Sequence, residues 1–162
     1  MSNLFSQGRI HTFLICFIIF GNILIVSTLD NGKNETVLAE TIIVDVNGDG
    51  DYESIQEAVD EAKPGDTIFV KSGTYYGNVV IDKSLSLIGN GSENTTIMGD
   101  FLSNVIFVNA DNVAIEGFSI SRAGNSAIYL SKVQGCSVVN CTLIKNTYGI
   151  TLEEGSKNII SN

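Results

Sequence analysis

The segment Ala127-Ile-Tyr-Leu130 is echoed one period later by Gly149-Ile-Thr-Leu152, and this echo decides the fold. Around it, from about Leu85 onward, one phrase recurs at intervals of roughly 21 to 24: a short apolar strand, a polar turn, another short strand. Asn104, Asn125 and Asn146 stand at equal spacing, and Val138-Val139 returns as Ile159-Ile160 after the same interval. A fixed period of this length is the mark of a solenoid, in which one coil cannot bury its apolar face alone and must stack on the next. The strands are too short for a sandwich. They fit a parallel β-helix whose coils stack about 4.8 Å apart.

Upstream, residues 12–29 are almost uninterrupted apolar sequence, preceded by Arg9 and His11 and followed by Asp30 and Glu35. Such a segment at the start of a chain predicts an export signal or a membrane anchor, with the N-terminus inside. Cleavage and retention both stay open. Residues 1–29 are assigned to this segment, residues 30–40 to a polar linker, 41–66 to an opening strand and capping helix, and 67–162 to the coils. Arg9 is the single formal charge before residue 30, so of 9 basic and 18 acidic residues the exported part holds 8 and 18, a net charge of −10. That acidity argues against nucleic acid as a partner, because affinity there comes from neutralising phosphates. Cys136 and Cys141 have no His beside them in the exported part to complete a metal site. An extended span between them covers about 16 Å, beyond the reach of a disulfide unless the chain folds back. Asn34, Asn90, Asn94 and Asn140 each open an Asn-X-Ser/Thr triplet and are candidate glycosylation sites.

Ser54-Ile-Gln-Glu57 reads as a capping box, and Ile55, Ala58, Val59 and Ala62 form one apolar stripe at helical spacing, stopped by Lys63-Pro64-Gly65-Asp66. A helix with one apolar face, placed just before the repeat, is suited to cover the open first coil and its unpaired strand edge. Strands are expected at residues 41–46, 67–71, 78–81, 85–88, 96–98, 105–108, 113–115, 118–120, 127–130, 138–139, 142–144, 149–152 and 158–160, with Ser72-Gly73-Thr74-Tyr75 as a turn. The fold class is therefore all-β: a right-handed parallel β-helix of about four to five coils, with an N-terminal capping helix.

The run Asp45-Val-Asn-Gly-Asp-Gly-Asp-Tyr-Glu-Ser-Ile-Gln-Glu-Ala-Val59, followed by Pro64-Gly-Asp-Thr-Ile-Phe-Val70, Gly73-Thr-Tyr75, Asn78-Val-Val80 and Leu85-Ser-Leu-Ile-Gly89, resembles the N-terminal part of the pectin lyase-like superfamily. Within it the chain is similar to pectinesterase-like and NosD-like right-handed β-helix proteins. The resemblance covers roughly residues 41–162. It specifies a fold rather than an activity, since catalytic and non-catalytic members share these opening elements.

The oxygen-bearing side chains of the opening turn, Asp45, Asn47, Asp49 and Asp51, alternate as in the first half of a calcium loop and are candidate calcium ligands, but the twelfth position is Gln56, which cannot close such a site as a bidentate acid. Resemblance to pectinesterases implies a paired-Asp and Arg site, and to pectate lyases an Arg base with calcium-bound carboxylates. Neither constellation is present: beyond the anchor the chain has one arginine, Arg122, and Asp82, Asp100 and Asp111 have no paired acid in register. Copper handling, implied by the NosD-like resemblance, would need His, Met or Cys ligands, and only Met98, Cys136 and Cys141 remain. Tyr75, Tyr76, Tyr129 and Tyr148 are candidate carbohydrate contacts through their aromatic faces. Asn104, Asn125 and Asn146 are expected to stack as an amide ladder.

The residues thus predict an exported, non-catalytic module, structural or carbohydrate-interacting, with an extracellular polysaccharide or cell-surface protein as partner and no cofactor required. The alternatives are a fragment of a polysaccharide lyase, esterase or hydrolase, and a NosD-like copper-accessory protein. The repeat stops at Asn162 inside a coil, which predicts either a longer parent protein or end-to-end association through the uncapped edge.

Overall fold

Inward apolar and outward polar residues alternate along short strands, and the turns between them bring equivalent positions of successive repeats into parallel register. A computed structural model describes residues 38–162, so the predicted signal or anchor and most of the linker lie outside the described residues. Strand β1 (Thr41–Val44) is followed by helix α1 (Ile55–Glu61) and then by coil strands β2 (Thr67–Val70), β3 (Gly73–Tyr76), β4 (Val79–Ile81), β5 (Ser86–Gly89), β6 (Thr95–Met98) and β7 (Ile106–Val108). They continue as β8 (Ala114–Glu116), β9 (Ser119–Ser121), β10 (Ser126–Ser131), β11 (Ser137–Val139), β12 (Thr142–Ile144), β13 (Tyr148–Glu153) and β14 (Ile159–Ser161).

Three parallel sheets form the walls, in the orders β1-β2-β5-β8-β11-β14, β3-β6-β9-β12 and β4-β7-β10-β13. This is a parallel β-solenoid of about five turns with one short helix. The first sheet aligns Ile68, Leu87, Ile115, Val138 and Ile160, one residue per coil, and the first four are buried. The second aligns Tyr75, Ile97, Ile120 and Leu143, and the third aligns Val79, Ile106, Ile128 and Ile150. These rows are the core. No coil could bury them by itself, so stability is shared between neighbours.

The bends between strands use single left-handed residues that also stack. Asn112, Gly135 and Lys157 form one such column, Gly117 and Asn140 a second, and Arg122 and Lys145 a third, all with φ between 51° and 77°. A non-glycine residue held there costs about 1–2 kcal/mol, offset by the strand pairing on both sides of the bend.

Helix α1 begins at Ser54, whose hydroxyl accepts the Glu57 N–H at 3.5 Å, and it buries Ile55, Ala58 and Val59. It covers the first coil as its apolar stripe requires. The side chain of Gln56 accepts the Val80 N–H at 2.7 Å and donates to the Val80 carbonyl at 3.4 Å, so one amide stands in for the strand that β4 lacks on that side. Lys83 donates to the carbonyls of Val59 and Asp60 at 2.9 and 3.0 Å, closing the other end of the helix. Among the described residues, no helix is long and apolar enough to cross a membrane.

Two local expectations are corrected. Ser72-Gly73-Thr74-Tyr75 is not a turn as a whole, because Gly73–Tyr76 is strand β3, paired in register with β6. Nor do Asn104, Asn125 and Asn146 form a ladder. The third sheet steps from Ile106 to Ile128 to Ile150, whereas the asparagines recur at an interval one shorter, so each slips one position along its bend. The amides of Asn104 and Asn146 bond to backbone instead: Asn104 accepts the Ser126 N–H at 3.0 Å, and Asn146 accepts the Ala123 N–H at 2.9 Å while donating to the Ile120 carbonyl at 2.9 Å.

Candidate functional site

The third sheet turns two rows of side chains outward. In β4, β7, β10 and β13 the residues between the inward positions are Val80, Phe107, Tyr129 and Thr151, and their registers place them one above another along the solenoid axis. The Phe107 and Tyr129 rings stack with centroids 5.7 Å apart and planes 18° from parallel. Parallel in-register strands impose this, since neighbouring backbones lie about 4.8 Å apart and hold the two rings in offset contact. A second outward row runs beside the first, two positions further along each strand: Asp82, Asn109, Ser131 and Glu153. The Tyr129 hydroxyl donates to the Glu153 carboxylate at 2.6 Å, and the Ser131 hydroxyl donates to the same oxygen at 3.4 Å. The bond to Glu153 raises the Tyr129 phenol above its usual range, so the hydroxyl stays protonated. The face is therefore an aromatic ridge with a hydrogen-bonding border.

The four candidate tyrosines are dispersed. Tyr129 is on this face, half-exposed, and its stacking partner Phe107 is absent from the tyrosine set. Tyr76 is 77% exposed but belongs to β3, in another sheet, and Tyr148 is exposed at the start of β13. Tyr75 points into the coil at 4% exposure, where its hydroxyl donates to the Lys71 carbonyl at 2.9 Å and accepts the Val46 N–H at 3.3 Å; its ring offers no face to a saccharide.

The opening turn is already filled by a cation of its own. The Lys71 ammonium lies 3.0 Å from the Asp45 carboxylate and 2.9 Å from the Asp49 carbonyl oxygen. Asp45 also accepts the backbone and side-chain N–H groups of Asn47 at 2.9 and 3.1 Å, and Asp51 accepts the Ile43 N–H at 2.7 Å. These oxygens are committed to a lysine and to backbone donors, which does not fit a calcium ligand set. Among the described residues, no group of three or more His, Cys, Asp or Glu side chains is arranged to hold a metal. The Asn47 backbone N–H first, and then Lys71, hold the Asp45 carboxyl below the ordinary aspartate value. A group depressed in the folded state contributes stability above its unfolded pKa, about 3.9, and loses it as pH falls through the folded value. Thermal stability is accordingly expected to fall as pH drops below about 4, with less loss in Asp45→Asn. Equal acid sensitivity in the variant would contradict this.

The remaining candidates have structural partners. Arg122 places its guanidinium over the Phe101 ring at 5.6 Å. Asp100 accepts the Leu102 N–H at 2.9 Å, Asp111 the Gln134 N–H at 2.9 Å, and Asp82 pairs with Lys83 at 3.7 Å. Cys136 and Cys141 are both free thiols. Burial is the main cause that raises the pKa of each, so neither is an activated nucleophile. Asn90, Asn94 and Asn140 are exposed, and Asn34 lies outside the described residues.

Comparison of the fold with solved structures finds a pectin methylesterase in complex with hexasaccharide VII, at a TM-score of 0.59 over 70% of this chain and 45% of that one, with 14% sequence identity. The fold is the pectin lyase-like parallel β-helix. Pectin methylesterase from carrot shares it, at a TM-score of 0.50 and 17% identity over 63% of this chain and 45% of that one. No protein-family model matches the sequence. In sequence it is 35% identical over 103 residues to a cell surface glycoprotein of Methanothermus fervidus, covering 62% of this chain and 17% of the relative. It is 37% identical over 82 residues to a probable pectinesterase/pectinesterase inhibitor of Arabidopsis thaliana, covering 44% of this chain and 14% of the relative. The β-helix thus spans less than a fifth of the length of either relative.

Proposed function

We propose that this chain is an exported, non-catalytic β-helix module of the cell surface that holds a saccharide along the outward face of β4, β7, β10 and β13. The observation that carries the reading is the stacked Phe107–Tyr129 pair beside the polar row Asp82, Asn109, Ser131 and Glu153. A sugar ring has apolar C–H faces and a hydroxyl rim, and this surface offers an aromatic face for the first and hydrogen-bonding groups for the second. The similarity to a cell surface glycoprotein over 62% of the chain supports the location. Of the two carboxylates in these rows, Asp82 is paired with Lys83 at 3.7 Å, whereas Glu153 has no cation within ion-pair distance among the described residues. At physiological salt, like charge acts over about 8 Å, so the face favours uncharged glycans over polyuronates.

Isothermal titration with neutral and uronate oligosaccharides tests this. Neutral oligosaccharide is expected to bind, and Tyr129→Ala to weaken binding by roughly tenfold, about 1.4 kcal/mol, with the unfolding midpoint little changed. Equal binding by the variant, or no binding by either saccharide, would sink the proposal.

The similarity to pectinesterases favours a second reading, a segment of a longer carbohydrate-active enzyme. It predicts ester hydrolysis by the parent protein, carried by paired carboxylates and an arginine on coils other than those described.

A further inference from the structure

Three Asn-X-Ser/Thr triplets fall within the described residues: Asn90-Gly-Ser92, Asn94-Thr-Thr96 and Asn140-Cys-Thr142. The first and third are far apart in sequence, yet the coil register gathers all three at one corner. Ile88 pairs with Glu116, and Glu116 with Val139, so the next residue of each strand exit, Gly89, Gly117 and Asn140, stacks in a column. The triplets also touch. The Ser92 hydroxyl lies 3.3 Å from the Thr142 hydroxyl, so the hydroxyl residues of the first and third triplets are hydrogen-bonded across two coils.

The intervening coil supplies Gly117 at this corner, at φ 77°, where an added Cβ would approach the Gly89 carbonyl oxygen to 2.9 Å. Gly117 also borders an open groove of about 400 Å³, lined by Ser92, Glu93, Asn94, Glu116 and Asn140 among others. The three amides differ in how they are held. Asn90 donates to the Ser72 hydroxyl at 2.9 Å and Asn94 to the Asn90 carbonyl at 3.1 Å, and their hydroxyl residues Ser92 and Thr96 are half-buried. Asn140 sits at the outer point of the bend, with φ 51°, and its amide makes a single long bond, 3.3 Å, to the exposed Glu116 carboxylate. Both Asn140 and Thr142 are exposed.

We propose that this corner is an N-glycosylated edge, with Asn140 as its principal site. In the modification the Asn140 Nδ2 bonds to the anomeric carbon of a phosphate-activated saccharide brought by a separate transferase. The bond from that carbon to the phosphate oxygen breaks, the amide gives up one proton, and the phosphate-bearing carrier leaves; nothing is oxidised or reduced. The second amide hydrogen remains for Glu116, and the sugar lies over the groove beside Gly117. The corner joins the first and second sheets, whereas the aromatic row is on the third, so the attached glycan leaves the proposed saccharide face open. This assignment stands independently of that face.

The test is intact-mass and glycopeptide mass spectrometry of the full chain purified from its native host. A glycan mass is expected on the peptide that contains Asn140, absent from Asn140→Gln and Thr142→Ala and retained in Thr142→Ser. Recovery of the Asn140 peptide unmodified in most molecules, or an unchanged mass in Thr142→Ala, would overturn the assignment. Circular dichroism of Thr142→Ala and Thr142→Ser verifies that both are folded.

Discussion

Phe118→Ala is expected to destabilise the β-helix by about 3–5 kcal/mol, measured as a lower urea midpoint with little change in slope. Phe118 is fully buried at the bend between β8 and β9. Strand register sets it between Thr95 of the coil below and Cys141 of the coil above. Its ring also fills the space that Gly89 leaves, since a Cβ on Gly89 would stand 3.0 Å from two ring carbons. Truncation therefore opens a void shared by three coils, and neighbours fixed by their own backbone pairing cannot collapse into it. The expected loss is a large part of the roughly 5–15 kcal/mol typical of a whole domain. Phe118→Leu keeps most of the volume and is expected to cost under about 1.5 kcal/mol. A loss below about 1 kcal/mol in the alanine variant would mean that the bend relaxes and the coils are not rigidly stacked.

Asp66→Ala is expected to cost about 2–4 kcal/mol and to loosen the N-terminal end first. The side chain is 1% exposed, and its two oxygens accept the Glu40 N–H at 2.9 Å and the Lys63 N–H at 2.7 Å. One carboxylate thus ties the start of β1 to the exit of α1, and its own carbonyl accepts the Ser86 N–H of the next coil at 3.0 Å. Charge-assisted bonds to backbone donors contribute more than neutral ones, and removing the acceptor leaves both donors unpaired. Asp66→Asn restores one acceptor but turns an amide donor towards another donor, so it should rescue the loss only in part. Hydrogen exchange should show faster exchange at α1 with the central coils unaffected. Uniform acceleration along all coils would contradict this local role.

The repeat was legible because each coil places large apolar residues inward at a nearly constant interval, and Ile115, Ile128 and Val138 announce themselves in any alignment of the chain with itself. The helix was legible because Ser54 and the stripe of Ile55, Ala58, Val59 and Ala62 are local signals that tertiary packing then reinforces. What was not legible depends on register. Gly73-Thr-Tyr reads locally as a turn, and only the pairing of β3 with β6 makes it a strand. The asparagine period is one short of the step from Ile106 to Ile128 in the third sheet, a difference invisible until strands are paired. The Phe107–Tyr129 pair carried a usable signal: the two aromatics fall one coil apart and each sits between two inward aliphatics, Ile106 and Val108, Ile128 and Leu130. A set of tyrosines alone omits Phe107 and with it the pair. The lysine in the opening turn was concealed for another reason, since Lys71 is distant from Asp49 in sequence and reaches it only after β1 and β2 pair.

On the proposed reading, coil register builds a saccharide platform from residues that have no local signature. Mapping a bound neutral oligosaccharide by nuclear magnetic resonance puts that platform to the test residue by residue. Shift changes that grow with saccharide concentration are expected at Val80, Phe107, Tyr129 and Thr151 and at the flanking Asn109, Ser131 and Glu153, with the other two sheets silent. Changes confined to another sheet, or none at millimolar saccharide, would contradict it.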